Sequence, residues 1–104
     1  MQDKFPQIAD KVNEAAAWVY GVASTDLLSQ TRRQPIAEAR QLAIYILRVY
    51  CGVSTSDIAR YYGRKEALVC YSVRTIKGLL KVDKQTRRMC DEIINYCKEL
   101  QIEL

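Results

Sequence analysis

Residues 54–80 read STSDIARYYGRKEALVCYSVRTIKGLL, and this stretch predicts a short helix, a tight corner and a longer helix. Ser54 is the expected N-cap of the short helix, because its hydroxyl can accept a hydrogen bond from the Asp57 amide. Gly63 stands where a helix end can turn left-handed without a steric penalty. Between these two signals runs an apolar stripe at helical spacing: Ile58, Ala59 and Tyr62.

The second helix of this stretch begins near Lys65 and has two distinct faces. One face repeats apolar residues at helical spacing and is expected to pack on the core: Val69, Val73, Ile76 and Leu80. The opposite face carries a mixed set: Arg64, Leu68, Tyr71, Thr75 and Gly78. A helix held at a corner with one face free can lie in the major groove of duplex DNA, which is about 12 Å wide. Residues 54–80 therefore predict a helix-turn-helix that binds double-stranded DNA.

The composition is that of a globular protein. The chain has 104 residues, of which 49% are hydrophobic and 27% are charged, and we expect one domain over residues 1–104. No apolar run approaches the ~18 residues of a membrane-spanning helix, and the first residues contain no hydrophobic signal core. We therefore expect a cytoplasmic protein without membrane insertion.

Catalytic and metal-binding motifs are absent from the sequence. It contains no histidine, so the usual nucleophile–base pairs cannot be built, and it has no glycine-rich phosphate loop. The cysteines form no CxxC pair, which predicts packing residues rather than a zinc site: Cys51, Cys70, Cys90 and Cys97. We expect no enzyme activity, no cofactor and no metal.

The net charge of +4 is unevenly distributed along the chain. Residues 32–88 contain thirteen Lys and Arg against four Asp and Glu, a local charge of +9. Residues 1–31 carry −2 and residues 89–104 carry −3. Positive charge concentrated around a helix-turn-helix is typical of a protein that binds a polyanion. The alternative is that these charges only solvate helix surfaces.

Three further helices are predicted outside the helix-turn-helix: Pro6–Tyr20, Pro35–Tyr50 and Gln85–Leu100. The middle one is apolar almost all round, so it is expected to be the buried hub of an all-α fold of about five helices. Trp18 lies among alanines on the first helix and is assigned to the core.

The segment between the first two of these helices, residues 22–34, is predicted to be a polar loop. Arg32 and Arg33 lie in it, and they either reach phosphates or the minor groove or belong to a solvated connector. Arg40 stands out as a charge about one turn into the hub helix.

Three stretches of the chain resemble the C-terminal DNA-binding domain of the bacterial replication initiator DnaA. They are STDLLSQTRR at residues 24–33, IAEARQLAIYIL at residues 36–47 and STSDIARYYGR at residues 54–64. The family's pattern there is DLL, a basic loop, an alanine and Arg-Gln opening a long helix, and a glycine corner followed by arginine. The likeness extends over about residues 12–100.

This resemblance implies the fold of that domain, which is of the Trp-repressor type, and DNA binding through the helix-turn-helix and the loop before the hub helix. Arg40 matches the arginine that the family inserts into the minor groove. Arg64 matches the arginine that opens the family's recognition segment. Thr55 and Ser56 fall where the family's first short helix approaches a phosphate.

The base-reading run departs from the family's pattern, Gly-Gly-Arg-Asp-His-[Ser/Thr]-Thr-Val. One glycine is missing here, and the positions after the arginine hold Lys65, Glu66, Ala67 and Leu68. Arg, Lys and Glu can read G or C edges, whereas Ala and Leu can contact a thymine methyl group. We therefore expect DNA binding with a target other than the initiator's own box, in replication, in transcription regulation or in a mobile element.

Two other hypotheses remain open for the free face of the second helix. Leu68 and Tyr71 could anchor a protein groove, which would make the chain a protein-interaction module that kept the fold without base reading. The same two residues could instead pack on a neighbouring helix or on a second copy of the chain. Attachment of the basic middle to a membrane surface is a further hypothesis that rests on charge alone.

Overall fold

A computed structural model describes residues 5–99, which form six helices and contain no strand. The helices are α1 (Phe5–Tyr20), α2 (Ser24–Leu27), α3 (Ile36–Val49), α4 (Thr55–Tyr62), α5 (Glu66–Val82) and α6 (Lys84–Glu99). The predicted all-α fold with a helix-turn-helix is confirmed. The structure has one helix more than the five counted from the sequence, because residues 24–27 form a helical turn inside the predicted polar loop.

The additional helix α2 has a local cause. The Ala23 amide donates to the Asp26 carboxylate, with 3.2 Å from N to Oδ2, so this side chain caps the turn to which it belongs. Leu27 is fully buried and holds the turn on the core. The irregular connection to α3 is consequently reduced to residues 28–35, which we call the basic loop.

Helix α3 is the hub of the fold, as predicted. It packs against α1, α2, α4 and α5, and Arg40 is the one charged side chain that it buries. Its other buried residues are Ala39, Leu42, Ala43, Ile44, Tyr45, Ile46 and Leu47. Pro35 is the N-cap rather than the first helical residue, and the helix ends one residue earlier than expected, at Val49.

Helix α1 covers the hub with its small residues, and Trp18 lies outside this face. The inward positions are held mainly by alanines and Val12. Trp18 is 69% exposed, so its assignment to the core is wrong. Asn13, buried on the same helix, donates to the Ser24 carbonyl (2.9 Å) and accepts from the Tyr62 hydroxyl (2.8 Å), which ties α1 to α2 and α4.

Helices α5 and α6 are separated by Asp83 alone. The Asp83 carboxylate accepts from the Thr86 hydroxyl (2.7 Å) and the Gln85 amide (3.2 Å), and so caps α6. These hydrogen bonds, that from Thr86 first, lower the pKa of the Asp83 carboxyl. The predicted last residue of this helix, Leu100, lies outside the described residues.

The four cysteines are free and differ in burial. The prediction that they pack in the interior is confirmed for Cys90 and Cys97 and wrong for Cys70, which falls on the outer face of α5. Cys51 is half-buried. Within residues 5–99, no group of three Cys, Asp or Glu side chains could hold a metal ion, and no helix has the length and hydropathy to cross a bilayer.

Candidate nucleic-acid interface

The corner between α4 and α5 has the geometry that the sequence predicted. The Ser54 hydroxyl accepts from the Asp57 amide at 3.2 Å and caps α4. Gly63 closes the helix with φ 64° and ψ 38°, and the Arg64 amide returns to the Ala59 carbonyl at 2.9 Å. Three residues, 63–65, therefore separate α4 from α5, and the first turn of α5 is presented at the surface.

The first two turns of α5 expose a mixed apolar and polar face. Val69 and Ile76 are fully buried and Ser72 is nearly so, which fixes the rotation of the helix on the core. Leu68 and Tyr71 lie on the outside and are 49% and 55% exposed. Because both side chains face outward, a partner can reach them. The hypothesis that they pack on a neighbouring helix of the chain is therefore removed.

Arg64 connects the corner to the basic loop. Its Nη1 donates to Gln30 Oε1 and its Nη2 to the Ser29 carbonyl, both at 2.9 Å. The arginine that matches the family's recognition arginine is therefore bound to the loop in this structure, and the loop and the start of α5 form one surface.

Arg40 is buried beneath the same segment of chain and donates hydrogen bonds to its carbonyls. It is only 6% exposed, and its Nε donates to the Leu27 carbonyl at 2.6 Å. Its Nη1 donates to the Thr31 carbonyl (3.0 Å), and its Nη2 to those of Ser29 (3.0 Å) and Asp26 (3.4 Å). Burial, and then the nearby Arg64 guanidinium, lower the pKa of Arg40.

These contacts differ from the expectation of an arginine that reaches into the minor groove. In this structure the Arg40 guanidinium points at main-chain carbonyls, and it gives the basic loop its shape. Its contact with DNA stays a prediction that the structure does not test.

The remaining cations of this region have no acidic partner. Arg32, Arg33 and Lys65 are all exposed, and the one ion pair within residues 5–99 joins Arg60 to Asp57 on α4. Unneutralised cations around an exposed helix start suit an anionic ligand.

A groove of about 370 Å³ lies between α3 and α5, next to the basic loop. It brings together five of the predicted site residues, Arg32, Arg40, Arg64, Leu68 and Tyr71. Gln41 and Ile44 also line it and are not among the predicted residues. The Arg-Gln pair that opens α3 was the available signal for Gln41, since amide side chains can read adenine.

The other predicted residues lie around this groove rather than in it. Lys65 is the exposed N-cap of α5, and Glu66 opens its first turn. Thr55 and Ser56 open α4, where Ser56 is exposed and Thr55 half-buried. Thr75, one turn beyond Tyr71, is half-buried.

The fold and this surface define a class of protein, an all-helical helix-turn-helix domain whose exposed second helix adjoins a basic loop. Within that class, the chain belongs to the family of the bacterial DnaA helix-turn-helix, whose sequence model matches residues 9–76. Membership of this family implies DNA binding.

Relatives of the chain include bacterial proteins named chromosomal replication initiator protein DnaA. The one from Bacteroides thetaiotaomicron is 31% identical over 81 residues, which are 77% of this chain and 17% of the relative. The one from Thermotoga maritima is 34% identical over 86 residues, 82% of this chain and 20% of the relative. The chain thus spans about a fifth of the length of these curated relatives.

Proposed function

We propose that this chain binds double-stranded DNA at preferred sequences, with the first turns of α5 in the major groove. The observation that carries the proposal is the exposed start of α5, which adjoins a basic loop whose cations no carboxylate neutralises within residues 5–99. A helix anchored at its corner and free on one face can follow the groove, and cations beside it can contact the phosphates.

The side chains divide into two roles in this proposal. Base readers are the exposed residues at the start of α5, which face outward before any ligand is bound: Lys65, Glu66, Leu68 and Tyr71. Arg32 and Arg33 contact the backbone or the minor groove, and Thr55 and Ser56 approach a phosphate at the start of α4.

Arg40 and Arg64 act differently, because both already donate to the Ser29 carbonyl. We propose that they position the basic loop for DNA. Arg64 is more accessible than Arg40, and a bound duplex could draw its guanidinium from Gln30 to a guanine. Thr75 completes the face one turn further along α5.

The target is expected to differ from the initiator's box, since Lys65, Glu66, Ala67 and Leu68 replace the family's base-reading residues. The protein would then act in the bacterial cytoplasm, either in DNA replication, as the names of its relatives suggest, or in transcription regulation or a mobile element. A second copy of the chain or another protein would raise its affinity for a two-part site.

Selection of binding sites from a random duplex pool at near-physiological salt tests the proposal. We expect an enriched motif, and we expect Lys65→Ala to relax it at one position with about a tenfold loss of discrimination. Arg33→Ala is the matched control, since the loss of a phosphate contact weakens binding to all sequences alike. Equal losses from both variants on every sequence would contradict the assignment of base reading to α5.

The protein-interaction hypothesis retains one specific observation in its favour, the exposure of Leu68 and Tyr71 beside the groove between α3 and α5. The same selection decides between the two functions. DNA affinity that is weak, steeply dependent on salt and indifferent to sequence would favour a protein partner on this face.

A further inference from the structure

A second exposed aromatic feature lies between α1 and the C-terminal half of α6. The rings of Trp18 and Tyr96 stack there, with their centroids 5.8 Å apart and 28° between their planes. Beside them is a groove of about 360 Å³, which we call the aromatic groove, lined by Trp18, Val19, Glu92, Asn95, Tyr96 and Glu99. Trp18 remains 69% exposed despite the stack, so its indole adds little to the core.

The charge of the aromatic groove is opposite to that of the groove between α3 and α5. Its lining contains two carboxylates, Glu92 and Glu99, and no cation. Neither carboxylate forms an ion pair in the part of the chain that the structure describes. Both glutamates lie on the C-terminal half of α6, which packs on α1.

An aromatic platform flanked by carboxylates fits a cation with a flat face. The faces of Trp and Tyr rings attract cations through their quadrupoles. An arginine guanidinium can stack on such a ring and donate to a carboxylate at the same time, which the compact ammonium of lysine does less well. A nucleic acid is disfavoured, because its phosphates would meet Glu92 and Glu99.

We propose that the aromatic groove docks an arginine side chain of a partner protein. The guanidinium stacks on the Trp18–Tyr96 pair, and Glu92 and Glu99 accept its hydrogen bonds. No residue of this groove lines the groove between α3 and α5, so the partner and DNA can be bound together. The proposal holds whether or not the chain reads DNA sequence.

Selection from a random dodecapeptide display library tests this docking site, with the full chain as bait and a Trp18→Ala/Tyr96→Ala double variant as counter-selection. We expect peptides that prefer the wild-type chain and share an arginine. Trp18 is the single tryptophan, so its fluorescence reports their binding directly. Replacing the shared arginine by citrulline, or Glu92 and Glu99 by Gln, should weaken binding about tenfold.

Val82→Ala provides the matched control, because Val82 is 79% exposed on α5 and its loss should leave peptide binding unchanged. Urea unfolding of Val82→Ala and of the Trp18→Ala/Tyr96→Ala double variant checks that neither fails by misfolding, and both are expected to remain folded. The proposal is overturned if no peptide prefers the wild-type chain, or if the preferred peptides share an apolar or acidic residue in place of arginine. Self-association that the double variant abolishes would also overturn it, in favour of a second copy as the occupant.

Discussion

Two pairs of hydrophobic side chains at the surface of this molecule have opposite electrostatic surroundings. Leu68 and Tyr71 on α5 lie beside Arg32 and Arg64, whereas Trp18 and Tyr96 lie beside two glutamates. Exposed apolar area alone indicates that something binds, and the charge around it indicates what. The comparison assigns a polyanion to the first pair and a cationic protein segment to the second.

The largest expected effect concerns Arg40, which holds the basic loop beside the first pair of side chains. Arg40→Ala should lower the free energy of unfolding by about 3 kcal/mol, because four hydrogen bonds to main-chain carbonyls around the basic loop are lost. Arg40→Lys should recover only part of this loss, since an ammonium cannot reproduce the planar fork of donors. Urea unfolding measures both variants.

Arg33→Ala is the control for this prediction, because Arg33 is exposed on the same loop and its removal should change stability by less than ~0.5 kcal/mol. An Arg40→Ala variant of unchanged stability that nevertheless loses DNA binding would contradict the positioning role. That result would support the direct contact in the minor groove that the family resemblance implies.

A smaller effect can be followed at two residues of the chain, Cys70 next to Tyr71 and Trp18 in the aromatic groove. Cys70 is exposed and precedes Tyr71, while burial raises the pKa of the Cys90 and Cys97 thiols to about 11 and keeps them unreactive at neutral pH. A selected duplex should slow alkylation of Cys70 about tenfold, which mass spectrometry of the labelled chain measures.

The fluorescence of Trp18 should stay unchanged when the duplex is added, because the aromatic groove shares no residue with the proposed DNA surface. A fluorescence change on adding duplex, with Cys70 still fully reactive, would reverse the assignment of the two surfaces. Cys70→Ser confirms that the labelled thiol is the one on α5.

The sequence predicts those parts of this arrangement that are determined by residues close together in the chain. The helix-turn-helix follows from the Ser54 cap and Gly63, which are local, and both have the predicted geometry. The hydrophobicity of Trp18 predicts a core position, but the outcome depends on non-local packing, since α1 turns its alanines to the core and leaves Trp18 to stack on Tyr96 of α6. Which face of α1 is buried is set by helices that are distant in the sequence.

Arg40 illustrates the same limit within the candidate site. The sequence shows a charge near the start of a buried helix, and this is enough to single it out. Whether the guanidinium turns outward or inward depends on where α2 places the carbonyls of residues 26–31, and α2 itself was missed because its cap, Asp26, belongs to a helix of four residues. The contacts of the site residues with DNA stay predictions.

The smallest expected effect concerns two glycines of the helix-turn-helix, which should respond to alanine with opposite signs. Gly63 has φ +64°, and a Cβ there would meet nothing closer than Gln30 Nε2 at 3.9 Å, so the strain of Gly63→Ala comes from the backbone alone and should cost about 1 kcal/mol. Gly78 lies inside α5 with no atom within 4 Å of an added Cβ, and Gly78→Ala should stabilise the fold by about 0.5–1 kcal/mol.

Urea unfolding of the two variants measures the contribution of the corner to stability separately from that of α5. Duplex binding by the same variants then tests which surface contacts DNA. If α5 lies in the major groove, Gly63→Ala should weaken DNA binding, since the basic loop and α5 meet at this corner through Arg64 and Gln30. Neither variant should alter peptide binding at the aromatic groove, because both glycines lie outside its lining. Equal stability changes of the same sign would show that the left-handed corner is not what fixes the start of α5.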